Sequence, residues 1–232
     1  METKLIPLAE GLYAIDQGMV RAYLIVGSEK ALLLDSGAAP CDVLALVRSV
    51  TDKPVTFVLT HTDGDHTANA AAFPTQYLHA EEAAIYTPAE GCACAELQEG
   101  ARFALGGRTL EVIHIPGHTP GSLALLDRTR KEIFSGDSVS LASVFMFGPT
   151  RSMERYLSSL RRLKAMAEAG EFTTVWPAHG PCPLDTAVIG ELIDCAEGIR
   201  SGSIVGEKAE NMPMPGAAPL LGKLGRVGIL YR

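Results

Sequence analysis

An apolar segment runs directly into a cluster of metal-binding residue types at residues 55–66, VTFVLTHTDGDH. Four of its last six side chains are of these types: His61, Asp63, Asp65 and His66. Two carboxylates this close repel each other and raise one pKa, and no Lys or Arg stands nearby in the sequence to offset them. A bound divalent cation removes that penalty. The stretch therefore predicts a cation site at the end of a strand.

Three further candidate ligands each follow a predicted strand. His118 lies in the turn IPGHTPG, Asp137 in FSGD and His179 in WPAHG. Each alone is compatible with an ordinary turn histidine or an Asx-turn aspartate. The ends of strands meet at one edge of a sheet, however, and loops on a rigid scaffold commonly carry ligands. With the first cluster they make seven side chains, which suits two adjacent metal ions that share one carboxylate and leave a position for water.

Hydrophobic periodicity predicts an α/β fold with two sheets between layers of helices. In each half of the chain, short apolar strands bounded by turn residues precede an amphipathic helix. The predicted strands are 12–15, 22–26, 31–34, 55–59, 109–115, 122–127, 131–134, 173–176 and 227–231. The predicted helices are 41–50, 153–168 with Ser152 as N-cap, and 186–199. A hairpin turn is expected at 128–130 and an irregular Gly- and Pro-rich loop at 201–225.

The order and the residues of these motifs resemble those of the metallo-β-lactamase superfamily. In that superfamily an HxHxDH signature precedes a His in a PGHTPG turn, an Asp in a GD turn and a late His-Gly. The spacings from His66 through His118 and Asp137 to His179 are 52, 19 and 42 residues. The resemblance implies an α/β, four-layer αββα sandwich formed by residues 1–232 as one domain. It also implies a binuclear site on one edge of the sandwich, which holds two divalent metal ions.

The resemblance implies the following ligand set. One metal ion would bind His61, Asp63 and His118. The other would bind Asp65, His66 and His179, and Asp137 would bridge the two ions together with a hydroxide. Asp65 and Asp137 are the expected catalytic carboxylates.

Asp63 departs from the family pattern, which has a second His at this place. An Asp carboxylate oxygen and a His Nδ1 both lie three bonds from Cα, so the ligand geometry can survive the exchange. The extra negative charge makes the site less positive, so it should polarise the substrate less and hold a less acidic water. The harder oxygen ligand shifts the metal preference from zinc toward iron or manganese. Zinc remains the first expectation. The alternative is that Asp63 does not bind and the site holds one metal ion.

The resemblance implies a hydrolase in which a metal-bound hydroxide attacks an ester, thioester, lactone or related bond of a small molecule. No Ser or Cys nucleophile is required. The motifs resemble those of glyoxalase II, without the C-terminal helical domain with which those enzymes hold glutathione. Three alternatives remain open: a phosphodiesterase, a di-iron redox protein similar to the flavodiiron HxExDH core, and a degenerate family member that binds metal weakly.

The composition of the chain limits the classes of partner and the location that we expect for it. The 20 Lys and Arg against 27 Asp and Glu give a net charge of −7, which argues against nucleic acid as a partner. No long apolar run or leader is apparent, so a cytoplasmic protein without a membrane association is expected. A homodimer is left open. The five cysteines do not resemble a disulfide framework, and Cys92 and Cys94 are expected to be a loop pair without a chemical role.

Several other residues near the motifs have two interpretations. His79 either approaches the site or has a structural role, and the structural role is favoured; His114 is expected to pack or cap. Asp35 is either an N-cap or an orienting carboxylate beside the metal ions. The segment 145–147, FMF, forms either an apolar wall beside the metal ions or part of the core.

Overall fold

The first sheet has seven strands that lie side by side in chain order. The computed structural model describes residues 2–209 and 218–232. The strands of this sheet are β1 (Lys4–Ala9), β2 (Leu12–Asp16), β3 (Arg21–Val26), β4 (Ala31–Leu34), β5 (Val55–Val58), β6 (Thr75–His79) and β7 (Ala93–Leu97). Strands β1 to β4 pair antiparallel, and β4 to β7 pair parallel. The parallel half carries β5, the strand that leads into the first ligand cluster.

A second sheet of six strands and a small third sheet of four strands complete the β-structure of the described residues. The second sheet contains β8 (Arg102–Ala104), β9 (Thr109–His114), β10 (Leu123–Asp127), β11 (Glu132–Gly136), β13 (Thr174–Pro177) and β14 (Leu184–Asp185). The third contains β12 (Val144–Phe145), β15 (Glu207–Lys208), β16 (Leu220–Leu224) and β17 (Val227–Tyr231). The predicted hairpin turn joins β10 to β11, which pair antiparallel.

The helices are short in the first half of the chain and long in the second. They are α1 (Val43–Arg48), α2 (Gly64–Thr67), α3 (Ala80–Ala83), α4 (Met153–Glu168) and α5 (Ala187–Ser201), with a 3-10 turn at Ala70–Ala72. The predicted bounds of α4 are confirmed, and the Ser152 side chain accepts a hydrogen bond from the backbone N–H of Arg155 as an N-cap. Among the described residues, no helix combines the length and apolar character needed to cross a bilayer.

Alternating side chains divide the core into layers, as β-strand geometry requires. Leu32 and Leu34 of β4 join the cluster between the two large sheets, whereas Leu33 packs toward α1. On the second sheet, Leu125 faces the first sheet and Leu126 faces α4 and α5. The order of layers is therefore helix, sheet, sheet, helix, and the predicted αββα sandwich is confirmed.

The structure corrects the prediction for residues 201–225. Strand β16 and the short β15 lie in this segment, where an irregular loop was expected. The Met212–Gly216 part of that prediction lies outside the described residues. Strands β1, β7 and β8 were also missed, because most of their side chains are exposed or half-buried and, in β1 and β7, burial does not alternate regularly along the strand.

Candidate metal centre

The loops that follow four strands bring the seven predicted residues together at one edge of the sandwich. Strand β5 leads into His61 and then into α2, which carries Asp65 and His66. His118 follows β9, Asp137 directly follows β11, and His179 follows β13. Residues separated by more than 100 positions in the chain thereby become neighbours. Their side chains form two groups.

The first group contains Asp65, His66, Asp137 and His179, each with a potential ligand atom within 4.8 Å of the others. Asp137 Oδ1 lies 3.1 Å from His66 Nε2 and 3.2 Å from His179 Nε2. Asp65 Oδ2 lies 3.3 Å from the same Nε2 of His179. These four side chains are close enough together to hold one metal ion.

The second group contains His61, His118 and again Asp137. The Nε2 atoms of the two histidines are 3.2 Å apart. His118 Nε2 lies 3.6 Å from Asp137 Oδ2, the oxygen that does not face His66 and His179. The two oxygens of Asp137 thus face different groups, which is the arrangement a bridging carboxylate needs.

Asp63 lies beside the second group, and its carboxylate also contacts the side chain of Arg151. Its Oδ2 is 3.2 Å from His118 Nε2 and 3.6 Å from His61 Nε2, and it also accepts a hydrogen bond from the Arg151 guanidinium. No Lys or Arg lies near this cluster in the sequence, but the inference that its carboxylates are not offset by one is wrong for Asp63. Arg151 stands 88 residues further along the chain and reaches the cluster only through the fold.

Each of the four histidines is held through Nδ1, which leaves Nε2 facing the cluster. The Nδ1 partners are the Thr60 hydroxyl for His61, the Asp35 carboxylate for His66, and the backbone carbonyls of Phe145 and Met19 for His118 and His179. Such contacts fix the ring orientation of metal-binding histidines. For Asp35 the orienting role is favoured over an N-cap, because its other oxygen accepts the backbone N–H of Thr60 at 2.7 Å.

The electrostatics of the cluster suit a cation. Burial opposes ionisation of Asp137, but attraction by His66 and His179 keeps the pKa of its carboxyl well below the usual range. Burial likewise opposes the charged form of His179, yet Asp137 raises its pKa to about 10. In the described part of the chain, His66 Nε2 and Asp137 Oδ1 are buried without an adequate hydrogen-bond partner. Buried polar atoms without a hydrogen-bond partner indicate that a ligand binds there. A set of imidazole and carboxylate ligands suits zinc, iron or manganese.

A cavity of about 670 Å³ opens onto the cluster. Phe145 and Phe147 line it, with ring centroids 5.5 Å apart, and Met19 and Arg151 also contribute to its wall. Met146 turns the other way and packs into the core between the second sheet and its helices. Phe145 and Phe147 therefore form an apolar wall beside the site, whereas Met146 is part of the core.

His79 and His114 form a separate pair. Their rings stack nearly parallel with centroids 3.7 Å apart, and His79 Nδ1 accepts the backbone N–H of Glu81 at the start of α3. Lone pairs of parallel rings lie in two separate planes, so they do not converge well on one ion even though Glu81 lies close to both rings. The structural interpretation of both histidines fits these contacts.

No cysteine joins any potential ligand group in the described residues, and all five are free thiols.

Residues 15–179 match the sequence family described as the metallo-beta-lactamase superfamily. The chain belongs to the metallo-β-lactamase superfamily. One relative in this superfamily, the acyl-coenzyme A thioesterase MBLAC2 of Gallus gallus, is 27% identical over 75% of this chain and 79% of its own length. Another, a hydroxyacylglutathione hydrolase of Anaeromyxobacter dehalogenans, is 33% identical over 68% of this chain and 60% of its own length. The superfamily and these activities identify the chain as a metal-dependent hydrolase.

Solved structures of the superfamily share the fold. A metallo-beta-lactamase from Pontibacter korlensis superposes with a TM-score of 0.71 over 84% of this chain and 99% of that chain, at 17% identity. The protein TTHA1623, solved in a di-iron-bound form, superposes with a TM-score of 0.62 over 76% of this chain and 95% of that chain, at 27% identity.

Two residues that the sequence did not single out belong to the site. Arg151 gives no local signal, since it only precedes an N-cap serine. Glu82 is buried, and it accepts hydrogen bonds from the N–H and hydroxyl of Thr62 and from the N–H of Gly121. It therefore joins the loop of the first ligand cluster to the loop of His118. A buried acidic residue in a short helix has no pattern that would mark it in the sequence.

Proposed function

We propose that this chain hydrolyses acyl thioesters of small molecules at a binuclear metal site. The observation that carries the proposal is a cavity with an apolar wall that opens onto two ligand groups sharing Asp137. The thioesterase relatives supply the choice of bond. An apolar wall suits the acyl chain, because burial of each methylene group contributes about 0.8 kcal/mol.

The two ligand groups support the following assignment of the two ions. Asp65, His66, Asp137 and His179 would hold one ion, and His61, Asp63 and His118 with the second oxygen of Asp137 would hold the other. Zinc is the first choice. Iron or manganese is the alternative, because Asp63 adds a harder oxygen donor and because a relative of 27% identity was solved with two iron ions.

When bound, the two ions supply a more acidic water and an electrophile for the carbonyl oxygen. Asp65 and Asp137 both line the cavity, so their carboxylates can orient the water against the carbonyl carbon. The backbone carbonyls and side chains that hold the four Nδ1 atoms keep the histidines from turning. Phe145 and Phe147 exclude bulk water from the acyl chain. Addition of water and cleavage of the C–S bond then release a carboxylic acid and a thiol.

The test uses chelator-treated protein reloaded with zinc, manganese or iron. Released thiol is measured by its reaction with a chromogenic disulfide, over acyl thioesters of increasing chain length. We expect metal-dependent hydrolysis that His118→Ala lowers by more than about 100-fold, since even the loss of an outer partner of a metal ligand costs about 10–100-fold. His114→Ala is the matched control, because His114 belongs to the separate pair, and it should keep most of the activity.

Phe147→Ala tests the acyl wall separately. The variant should raise KM for long acyl chains several-fold and leave short chains nearly unchanged. Inactivity toward every thioester with both metal sites filled would contradict the proposal. An iron pair whose visible absorption band bleaches on reduction, without hydrolysis, would favour a redox protein instead.

A further inference from the structure

A single carboxylate oxygen of Asp63 has three competing partners. Asp63 Oδ2 faces His118 Nε2 at 3.2 Å and His61 Nε2 at 3.6 Å, and it accepts the hydrogen bond from Arg151 Nη2. This oxygen is the one that faces both histidines, so a metal ion bound to them would take it as its donor from Asp63. Arg151 and such an ion would therefore compete for one lone-pair region.

The surroundings of Arg151 make that competition strong. Its side chain is only 14% exposed, its Nη1 donates to the Thr150 hydroxyl at 2.7 Å, and its Nε is buried without a hydrogen-bond partner among the residues that the structure describes. A guanidinium removed from water in this way interacts with a carboxylate more strongly than a surface arginine does. Withdrawal of Asp63 would leave Arg151 without its only charged partner in the described structure.

The other ligand group has no such competitor. Asp65 and Asp137 form ion pairs only with histidines in the described residues, and no Lys or Arg contacts them. That group also has four donors, two of them carboxylates. The group at His61 and His118 has two histidines, the second oxygen of Asp137 and the carboxylate held by Arg151.

We propose that Arg151 is a positioning residue that competes with metal for Asp63, so that the two halves of the site bind their ions with unequal affinity. The inference rests on the proposed metal site. The ion at Asp65, His66, Asp137 and His179 binds first. The ion at His61 and His118 binds second and more weakly, because its binding must weaken the contact between Arg151 and Asp63.

The experiment is a calorimetric titration of the metal-free protein with Zn²⁺, repeated with Co²⁺ so that each filling step has a visible absorption change. The parent should show one tight and one weak step. Arg151→Met removes the charge and keeps a side chain of similar length. It should tighten the second step by at least about tenfold and leave the first step nearly unchanged. Arg155→Met, which removes a surface pair with Glu81, is the control and should change neither step.

A double-mutant cycle separates competition for Asp63 from general charge repulsion. In an Asp63→Asn background, Arg151→Met should have no effect on the second step, since there is no carboxylate to release. If Arg151→Met still tightens the second step in the Asp63→Asn background, the effect is simple repulsion between Arg151 and the ion, and the proposal is overturned. Circular dichroism of every variant checks that the fold is retained.

The outcomes distinguish this inference from the proposed function. Two equally tight steps in the parent, or an unchanged second step in Arg151→Met, would overturn the inference and leave the metal-dependent hydrolase intact. Absence of any Zn²⁺ or Co²⁺ binding to the parent and to His114→Ala would overturn both.

Discussion

Asp35 Oδ2 lies 2.8 Å from His66 Nδ1, while Asp35 Oδ1 accepts the backbone N–H of Thr60 at 2.7 Å. One buried carboxylate thus fixes both a candidate metal-binding ring and the segment that carries His61. Asp35 has φ 64°, in the left-handed region. Asn tolerates this region, so Asp35→Asn changes the hydrogen bonding without adding much backbone strain.

Asp35→Asn should weaken Zn²⁺ binding by about 10–100-fold, the usual effect of losing the partner of a ligand histidine. The physical reason is that the Asn amide offers only one acceptor oxygen for the contacts with Thr60 and His66. Competition with a chromogenic chelator measures the affinity. Asp52→Asn, at an exposed position, is the control. Equal affinity in the parent and Asp35→Asn would show that His66 needs no such support.

Glu82→Gln should lower the free energy of unfolding by about 1–3 kcal/mol, because the buried N–H of Gly121 or the two donors of Thr62 would face an amide NH₂. Urea denaturation measures this loss. The neighbouring Glu81→Gln removes only an exposed pair with Arg155 and should cost at most about 1 kcal/mol. Similar losses for the two variants would mean that Glu82 does not join the loops energetically.

Gly117→Ala should be more destabilising than Gly148→Ala by about 1–3 kcal/mol, the usual cost of overpacking. Both glycines have positive φ, +142° and +117°, so both variants carry backbone strain. Of the two, only Gly117 has a neighbour that the added Cβ would overlap, the Tyr156 backbone of α4. Thermal and urea unfolding of the two variants compare the losses. Equal losses would indicate that the loop before His118 can move away from α4.

Protonation of His79 should reduce stability at acidic pH. Burial first, and then the charge of His114, lower the pKa of His79 below 6.5, although Glu81 and Glu82 act in the opposite direction. The unfolded state therefore binds this proton more readily, and stability is lost as the pH falls through 6.5 toward the lower folded value. His79→Asn removes the titration and can still accept the N–H of Glu81. Urea denaturation at about pH 7.5 and about pH 5 should show a smaller acid loss in the variant than in the parent. An identical loss in both would assign the acid sensitivity to other groups.

Local patterns in the sequence were enough for most of the framework. The apolar stripe of α4 and its serine cap predicted the bounds Met153–Glu168 correctly, because helix periodicity and capping depend on residues within a few positions. The αββα layers followed from strands and helices in order. Strand β1, with mostly exposed or half-buried side chains, and β16, inside a Gly- and Pro-rich segment, escaped prediction because pairing rather than periodicity defines them.

The sequence by itself determined which seven residues are candidate ligands, since each motif follows an apolar run that forms a strand. Only the tertiary structure decided how they divide: the two oxygens of Asp137 face different histidines, and Phe147 lines the cavity while Met146 enters the core. The tertiary structure alone brings Arg151 into contact with Asp63, which lies 88 residues earlier in the chain. The physical reason is that a backbone pattern is local, whereas a contact between two loops depends on how whole layers pack.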